Sequence, residues 1–258
     1  MPNGDNLLGG NLCDQPVFVV PSRSVSSEYY LFTVDEVHYF QAGNGLRVSV
    51  VDMNLNGGLG DISPGRKNIP LPLGDSCKDN MSGIRHANNK DAWLVVRRRG
   101  MTGRYQSYLV DGAGISNNPV ISQSNLATKI GTIFQRRGSI RISPDGLNLV
   151  CGDSLAELCY FNPQTGQVTS RFLFGAFEAD TLNSWISSFE FSVDSKYLYV
   201  GKLCSSWSCS QIYQYDLSKT DSSAFMQSQV RIGNGYGHMQ MGPDWKIYVK
   251  PVSYIDSL

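Results

Sequence analysis

An all-β chain assembled from repeated four-stranded antiparallel units is what this sequence predicts, and three observations predict it. The turn Ser143-Pro144-Asp145-Gly146 sits between two short alternating apolar runs. It returns in FSVDSKYLYVGK and MGPDWKIYVK, so that Pro144, Val193 and Pro243 stand 49 and 50 residues apart. A second marker, an alternating strand ending in Asp or Asn, occurs in LRVSVVDMN, QSYLVDGAG, ELCYFNPQTG and QIYQYDLSKT, at Asp52, Asp111, Asn162 and Asp216. No long segment carries helical periodicity. A repeat near 50 residues with only strand signals inside it is the mark of a β-propeller, each repeat forming one blade.

Taken in chain order, residues 1–16 read as the remnant of a preceding blade. Blades follow at about 17–72, 80–125, 130–176 and 185–232, with a partial one over 235–258. In each, an inner strand leads into the turn, an apolar second strand follows, the third ends in Asp or Asn, and a weaker fourth closes the unit. The turn has a physical basis: proline cannot donate to a ladder, and Asp-Gly readily takes the positive φ of a tight connection. IRHANNKDAWLVV is a weaker copy, with Asn88-Asn89 in place of Asp145-Gly146, and VVPSRSVSSEYYLFTV a weaker one still. A blade buries both faces against its neighbours, so about four full blades imply an incomplete ring, and the chain is expected to be one propeller region of a longer protein. A β-sandwich also alternates at short spacing but has no fixed repeat of this length.

Composition narrows the partners. Lys plus Arg and Asp plus Glu are both 22 in 258 residues, so no net field points to nucleic acid or to an anionic membrane. No run reaches the roughly 18 apolar residues of a membrane span, and MPNGDNLLGG has neither a basic nor an apolar signal region.

Several motifs suggest chemistry and then lose it. Asp52, Asn54 and Asn56 followed by Gly57 imitate the opening of a calcium loop, but the twelfth position is Ser63 and the flanks read as strands, so the stretch is expected to be a polar hairpin. No cofactor motif is present. Cys204 with Cys209, and Cys151 with Cys159, bracket hairpins of consecutive blades and are disulfide candidates for an oxidising compartment; Cys13 and Cys77 have no obvious mate. His38, His86 and His238 are scattered, and His86 and His238 read as satisfied inner-strand residues. No nucleophile elbow, zinc-protease helix or phosphate loop occurs.

The loops give a better lead. In such a fold the loop between second and third strands and the loop leading into the next blade emerge on one side. That side is expected to carry Arg97, Arg98, Arg99 and Arg104 from one blade and Arg136 and Arg137 entering the next. Asp153, Glu157, Glu178 and Asp180 follow, with Trp185 and Trp207 beyond them. Arginine forks suit carboxylate or sulfate groups, and exposed tryptophans suit sugar faces or protein hot spots.

The blocks MPNGDNLLG, GLRVSVVDMNLNGGLGD, IRHANNKDAWLVV, ISPDGLNLV, FEFSVDSKYLYVG and MQMGPDWKIYV together resemble a family of β-propeller regions in large secreted or surface proteins of Bacteroidetes, those linked to type IX secretion and gliding motility. The VDMNLNGGLGD block is the specific one; SPDG elements occur across WD-like and YVTN-type propellers. The chain departs from the family at Arg97-Arg98-Arg99 and at Trp245, where the turn more often has Gly. The resemblance implies an extracellular or cell-surface scaffold that works beside other domains of the same chain, and no reaction. The expectation is a non-catalytic module that recognises a protein or an anionic glycan. The alternative is a propeller hydrolase or lyase acting on a carbohydrate or lactone, which needs carboxylates or His converging with a metal in the central channel.

Overall fold

The computed structural model describes residues 1–10, 15–35, 45–74, 77–98, 103–126, 139–152, 155–175, 184–204, 210–234 and 239–249. The first sheet contains β1 (Val17–Pro21), β2 (Glu28–Val34), β3 (Leu46–Asp52), β4 (Asp61–Ile62) and β5 (Ile69–Pro70), in the order β1-β2-β3-β4 with β5 also on β3. The second contains β6 (Cys77–Arg85), β7 (Ala92–Arg98), β8 (Arg104–Asp111), β9 (Gly114–Ile115) and β10 (Val120–Gln123), ordered β10-β8-β7-β6 with β9 also on β8. The third runs β11 (Ser139–Ile142), β12 (Asn148–Gly152), β13 (Ala156–Phe161), β14 (Val168–Phe174). The fourth runs β15 (Ser184–Phe191), β16 (Tyr197–Cys204), β17 (Gln211–Asp216), β18 (Val230–Asn234), and β19 (Met239–Met241) pairs with β20 (Ile247–Val249). All the pairings whose register is defined are antiparallel, as expected of blades.

Two features were not legible in the sequence. In the first two sheets the fourth strand is split into two short pieces on the same neighbour. Pro64 with Gly65 at φ 74° interrupts one, and Pro119 stands before the last piece of the other, because a proline cannot supply a ladder N–H. Between β17 and β18 the chain forms a short helix, α1 (Ser222–Gln227), started by Asp221, whose carboxylate accepts the Ala224 N–H at 2.9 Å.

The chain divides into two compact units, Met1–Gln135 with Phe161–Thr169, and Arg136–Tyr160 with Ser170–Leu258. In the first, Val20, Tyr30, Phe32, Val34, Leu46, Val48 and Val50 share one sheet face by register and pack with Met81, Leu94, Val96, Tyr108 and Val110 of the second sheet. Fully burying each such side chain contributes about 1.5–3 kcal/mol. The sheets meet closely at Gly83, where an added Cβ would lie 2.3 Å from the Phe18 ring. Gly83→Ala is therefore expected to cost about 1–3 kcal/mol, read as a lower urea midpoint with unchanged slope. In the second unit the core joins Val150, Leu158 and Phe174 to Phe189, Phe191, Leu198, Val200 and Tyr215, with Phe225 of α1 added.

The repeated turn is the same device four times. In His86–Asn89, Ser143–Gly146, Ser192–Ser195 and Gly242–Trp245 the fourth N–H donates to the first carbonyl at 2.8, 2.8, 2.9 and 3.0 Å. The third side chain, Asn88, Asp145, Asp194 or Asp244, accepts the N–H two residues on. The fourth residue is left-handed, with φ of 57° at Asn89, 74° at Gly146, 56° at Ser195 and 63° at Trp245. This is a type I turn closed by a left-handed residue, a standard hairpin connection. The Ser192 hydroxyl, and then the Lys196 N–H, hold the Asp194 carboxyl below its ordinary range. Trp245 lacks the glycine that suits this conformation, so Trp245→Gly is expected to raise stability by about 1 kcal/mol, measured by denaturant titration.

The second marker is equally regular. Asp52, Asp111, Asn162 and Asp216 accept the N–H of Asn54, Ala113, Gln164 and Ser218 at 2.9, 2.8, 2.9 and 2.9 Å. Each ends its strand by offering the backbone a side-chain acceptor. The stretch that imitated a calcium loop belongs here: Asn54 and Asn56 are exposed, and Asn56 at φ 53° and Gly57 at φ 65° turn the chain.

The disulfide expected between Cys151 and Cys159 is not formed. Register places Cys151 opposite Glu157 and Cys159 opposite Leu149, so the two cysteines are diagonal neighbours. Diagonal pairs lie about 7–8 Å apart, beyond the reach of an unstrained bridge. Cys209 and the Cys204 side chain lie outside the described residues, as do Cys13, His38 and His238.

Candidate functional site

The basic stretch, expected in a loop, lies partly within strands. Arg97 and Arg98 are the last residues of β7, Arg104 is the first of β8, and residues 99–102 lie outside the described residues. Register pairs Arg97 with Tyr105 and Arg98 with Arg104, and β10 sets Gln123 opposite Arg104. Residues directly opposite share a face, and adjacent residues alternate. Arg98, Arg104 and Gln123 therefore form one row across three neighbouring strands, while Arg97 points to the other side.

Arg97 is thus corrected from a loop residue to a buried one. It is 3% exposed, its Nη2 donates to the Leu126 carbonyl at 2.5 Å, and its Nε has no hydrogen-bond partner among the described residues. Room for it comes from Gly103, where a Cβ would sit 2.7 Å from both Nη2 and the Leu126 oxygen. A guanidinium cannot shed its charge, so one buried here projects a positive field through the end of the sheet. Arg104 and Gln123 are exposed and Arg98 is half-buried. Two positively charged residues thus stand directly opposite each other at the end of this sheet.

The other expected site residues are not brought into this row. Arg99, Arg136, Arg137, Trp207, Asp153, Glu178 and Asp180 lie outside the described residues. Trp185 is in β15, opposite Leu203. Glu157 is fully buried in β13 and so is no part of an acidic solvent face. Gln123 was missed, because nothing in VISQ marks a partner for arginines 19 residues or more upstream; only the strand order brings them together.

A second polar arrangement was also missed. In the second unit β11 packs on β15 and β15 on β19. Arg141 and Glu190 hold the same place in their repeats, two residues before the turn. The Arg141 Nε lies 3.6 Å from Glu190 Oε2, Glu190 Oε1 accepts the Phe191 N–H at 3.0 Å, and Oε2 accepts the Met241 N–H at 3.1 Å. These contacts make Glu190 a staple between three sheets. The sequence signal was available in the shared offset from the turn.

His86 behaves as expected of a satisfied residue. Its Nδ1 accepts the Asn88 N–H at 3.0 Å, which leaves Nε2 to donate to the Gln164 carbonyl at 3.0 Å. The ring stacks on Trp93, whose indole N–H donates to Pro163 O at 2.9 Å over Gly166. An apolar groove of 440 Å³ lies in the second unit beside Trp245, Val193 and Ile232.

No protein-family model matches the chain, and no curated protein matches it by sequence. Among solved structures it is similar to the periplasmic gluconolactonase of Pseudomonas aeruginosa, with a TM-score of 0.53, 16% identity, and coverage of 85% of this chain and 60% of that one. It is also similar to a Bacteroides fragilis protein assigned as a 6-phosphogluconolactonase, at TM-score 0.49, 12% identity, and 88% and 59% coverage. A third is the Swd1 β-propeller domain of Myceliophteria thermophila, at 0.44, 9%, and 83% and 59%. The chain spans about three-fifths of the length of each. At 16% identity the likeness to the first of these carries the fold alone, and a fold does not fix a function. The chain has the β-propeller fold, built from four-stranded antiparallel blades.

Proposed function

We propose that this chain is a non-catalytic recognition module of an exported bacterial surface protein, and that it binds an anionic partner, a glycan or a protein, through the end of its second sheet. One observation carries the reading: Arg98 and Arg104 stand opposite each other on one face, with Gln123 third in the row. Bidentate forks on adjacent strands are suited to an oxyanion, and Arg97 behind them adds to the positive field. The resemblance to surface propellers of Bacteroidetes supports the exported location and the place within a longer chain. The competing hydrolase or lyase reading calls for carboxylates converging on a metal, whereas Glu190 has both oxygens engaged by backbone N–H groups.

The test is retention on immobilised polygalacturonate, heparin and poly-glutamate as salt is raised. The wild-type chain is expected to be retained on at least one of them and to elute with salt, and the Arg98→Ala/Arg104→Ala double variant to lose about tenfold or more in affinity. Equal retention of both proteins, with unchanged melting, contradicts the proposal.

A further inference from the structure

The turn that follows β3 carries chemistry of its own: we propose that Asn56 is a site of spontaneous deamidation, in which the Gly57 nitrogen closes on the Asn56 side chain. Asn-Gly pairs occur at 3–4, 44–45, 56–57 and 234–235, and the structure distinguishes the first from the third. At the first, the Asn3 side-chain amide donates to the Ile62 carbonyl at 3.0 Å, and the Gly4 N–H donates to the Met1 carbonyl at 3.0 Å. Both reacting groups are held there. At the third, Asn56 and Gly57 are exposed, and among the described residues neither the Asn56 side-chain amide nor the Gly57 N–H has a hydrogen-bond partner.

The surroundings of the pair favour ring closure. A Cβ built at Gly57 or Gly58 would meet nothing within 4 Å, so the attacking nitrogen carries no bulk of its own and stands in open space. A five-membered imide forms when the Gly57 nitrogen bonds to the Asn56 Cγ and the Cγ–Nδ2 bond breaks. The proton shed by Gly57 leaves with Nδ2 as ammonia. Water then opens the ring at either carbonyl, giving aspartate or isoaspartate, and no oxidant or cofactor takes part. In the isoaspartyl product the backbone runs through the former side chain and gains a methylene. The main-chain carbonyl of Asn56, which accepts the Leu59 N–H at 3.3 Å, becomes a free carboxylate. The bonds from the Gly58 and Gly60 N–H groups to the Leu55 carbonyl, at 3.1 and 3.2 Å, span the lengthened link. Conversion thus adds a negative charge to a turn flanked by Asp52 and Asp61, and it loosens the connection that sets β4 on β3.

Peptide mapping by mass spectrometry of the 258-residue chain, held folded for days to weeks in mildly alkaline and in mildly acidic buffer, decides the point. Position 56 is expected to convert, with isoaspartate in excess over aspartate, while Asn3 stays intact. The alkaline sample is expected to convert faster, because the attacking nitrogen must shed its proton. In urea, where no fold holds either amide, both positions are expected to convert. Gly57→Ala is expected to slow the reaction several-fold, with Asn3, still intact, showing that the variant is folded. The proposal is overturned if Asn56 in the folded chain converts no faster than Asn3, if aspartate forms without isoaspartate, or if the folded Gly57→Ala variant reacts at the wild-type rate.

Discussion

Glu190→Ala is expected to lower stability by about 3–5 kcal/mol, among the largest losses from a single change in this chain. Glu190 is 7% exposed, and its two oxygens accept N–H groups from Phe191 and Met241 while the Arg141 guanidinium stands beside them. Removing the carboxylate deprives two backbone donors of their acceptor and takes a negative charge from beside the half-buried Arg141 guanidinium, and the penalty for buried donors left without an acceptor exceeds the net worth of the bonds themselves. Glu190→Gln keeps the shape and one acceptor oxygen and is expected to lose less than half as much. Denaturant titration of the two variants separates the cases. Equal stability of the alanine variant and the wild type would show that the three sheets are not joined through this side chain.

The second large effect is expected at Phe225. Phe225→Ala should cost about 3–5 kcal/mol, from lost burial together with the cavity left behind. The ring is fully buried, stacked on Tyr215 at 4.9 Å and 14°, and met edge-on by Phe174 at 5.0 Å and 73°. Tyr215 is itself fully buried, its hydroxyl has no partner among the described residues, and burial pushes its phenol pKa up. Little around the cavity can relax, because the neighbours sit on β14 and β17 and α1 is only six residues long. Phe225→Leu refills most of the space and is expected to recover about half of the loss. A loss below about 1 kcal/mol for the alanine variant would mean that α1 only covers the sheet.

What could be read from the sequence follows its periodicity. The SPDG-type turns and the strand-ending Asp and Asn residues were legible because each is a local device, set by a left-handed φ or by a side-chain acceptor two residues away. Register was not legible. It separates Cys151 from Cys159 by a diagonal, and it brings Gln123 beside Arg104 across a loop and a short strand. The arginine run was assigned to a loop because charged residues rarely continue an apolar strand. Arg97 does continue it, because its stem packs in the sheet while Gly103 leaves room for the guanidinium to reach a carbonyl. The Glu190 staple was hidden for another reason: its partners are backbone N–H groups, which no side-chain motif announces.

The claim on which the functional account depends is that the end of the second sheet, at Arg98 and Arg104, binds an anion. A crystal structure of the chain soaked with galacturonic acid tests it most directly. The account predicts the sugar carboxylate within hydrogen-bond distance of the exposed Arg104 guanidinium, in the row that Arg98 and Gln123 complete. A sugar bound elsewhere, or one whose carboxylate faces solvent while Arg98 and Arg104 keep their arrangement, would contradict it.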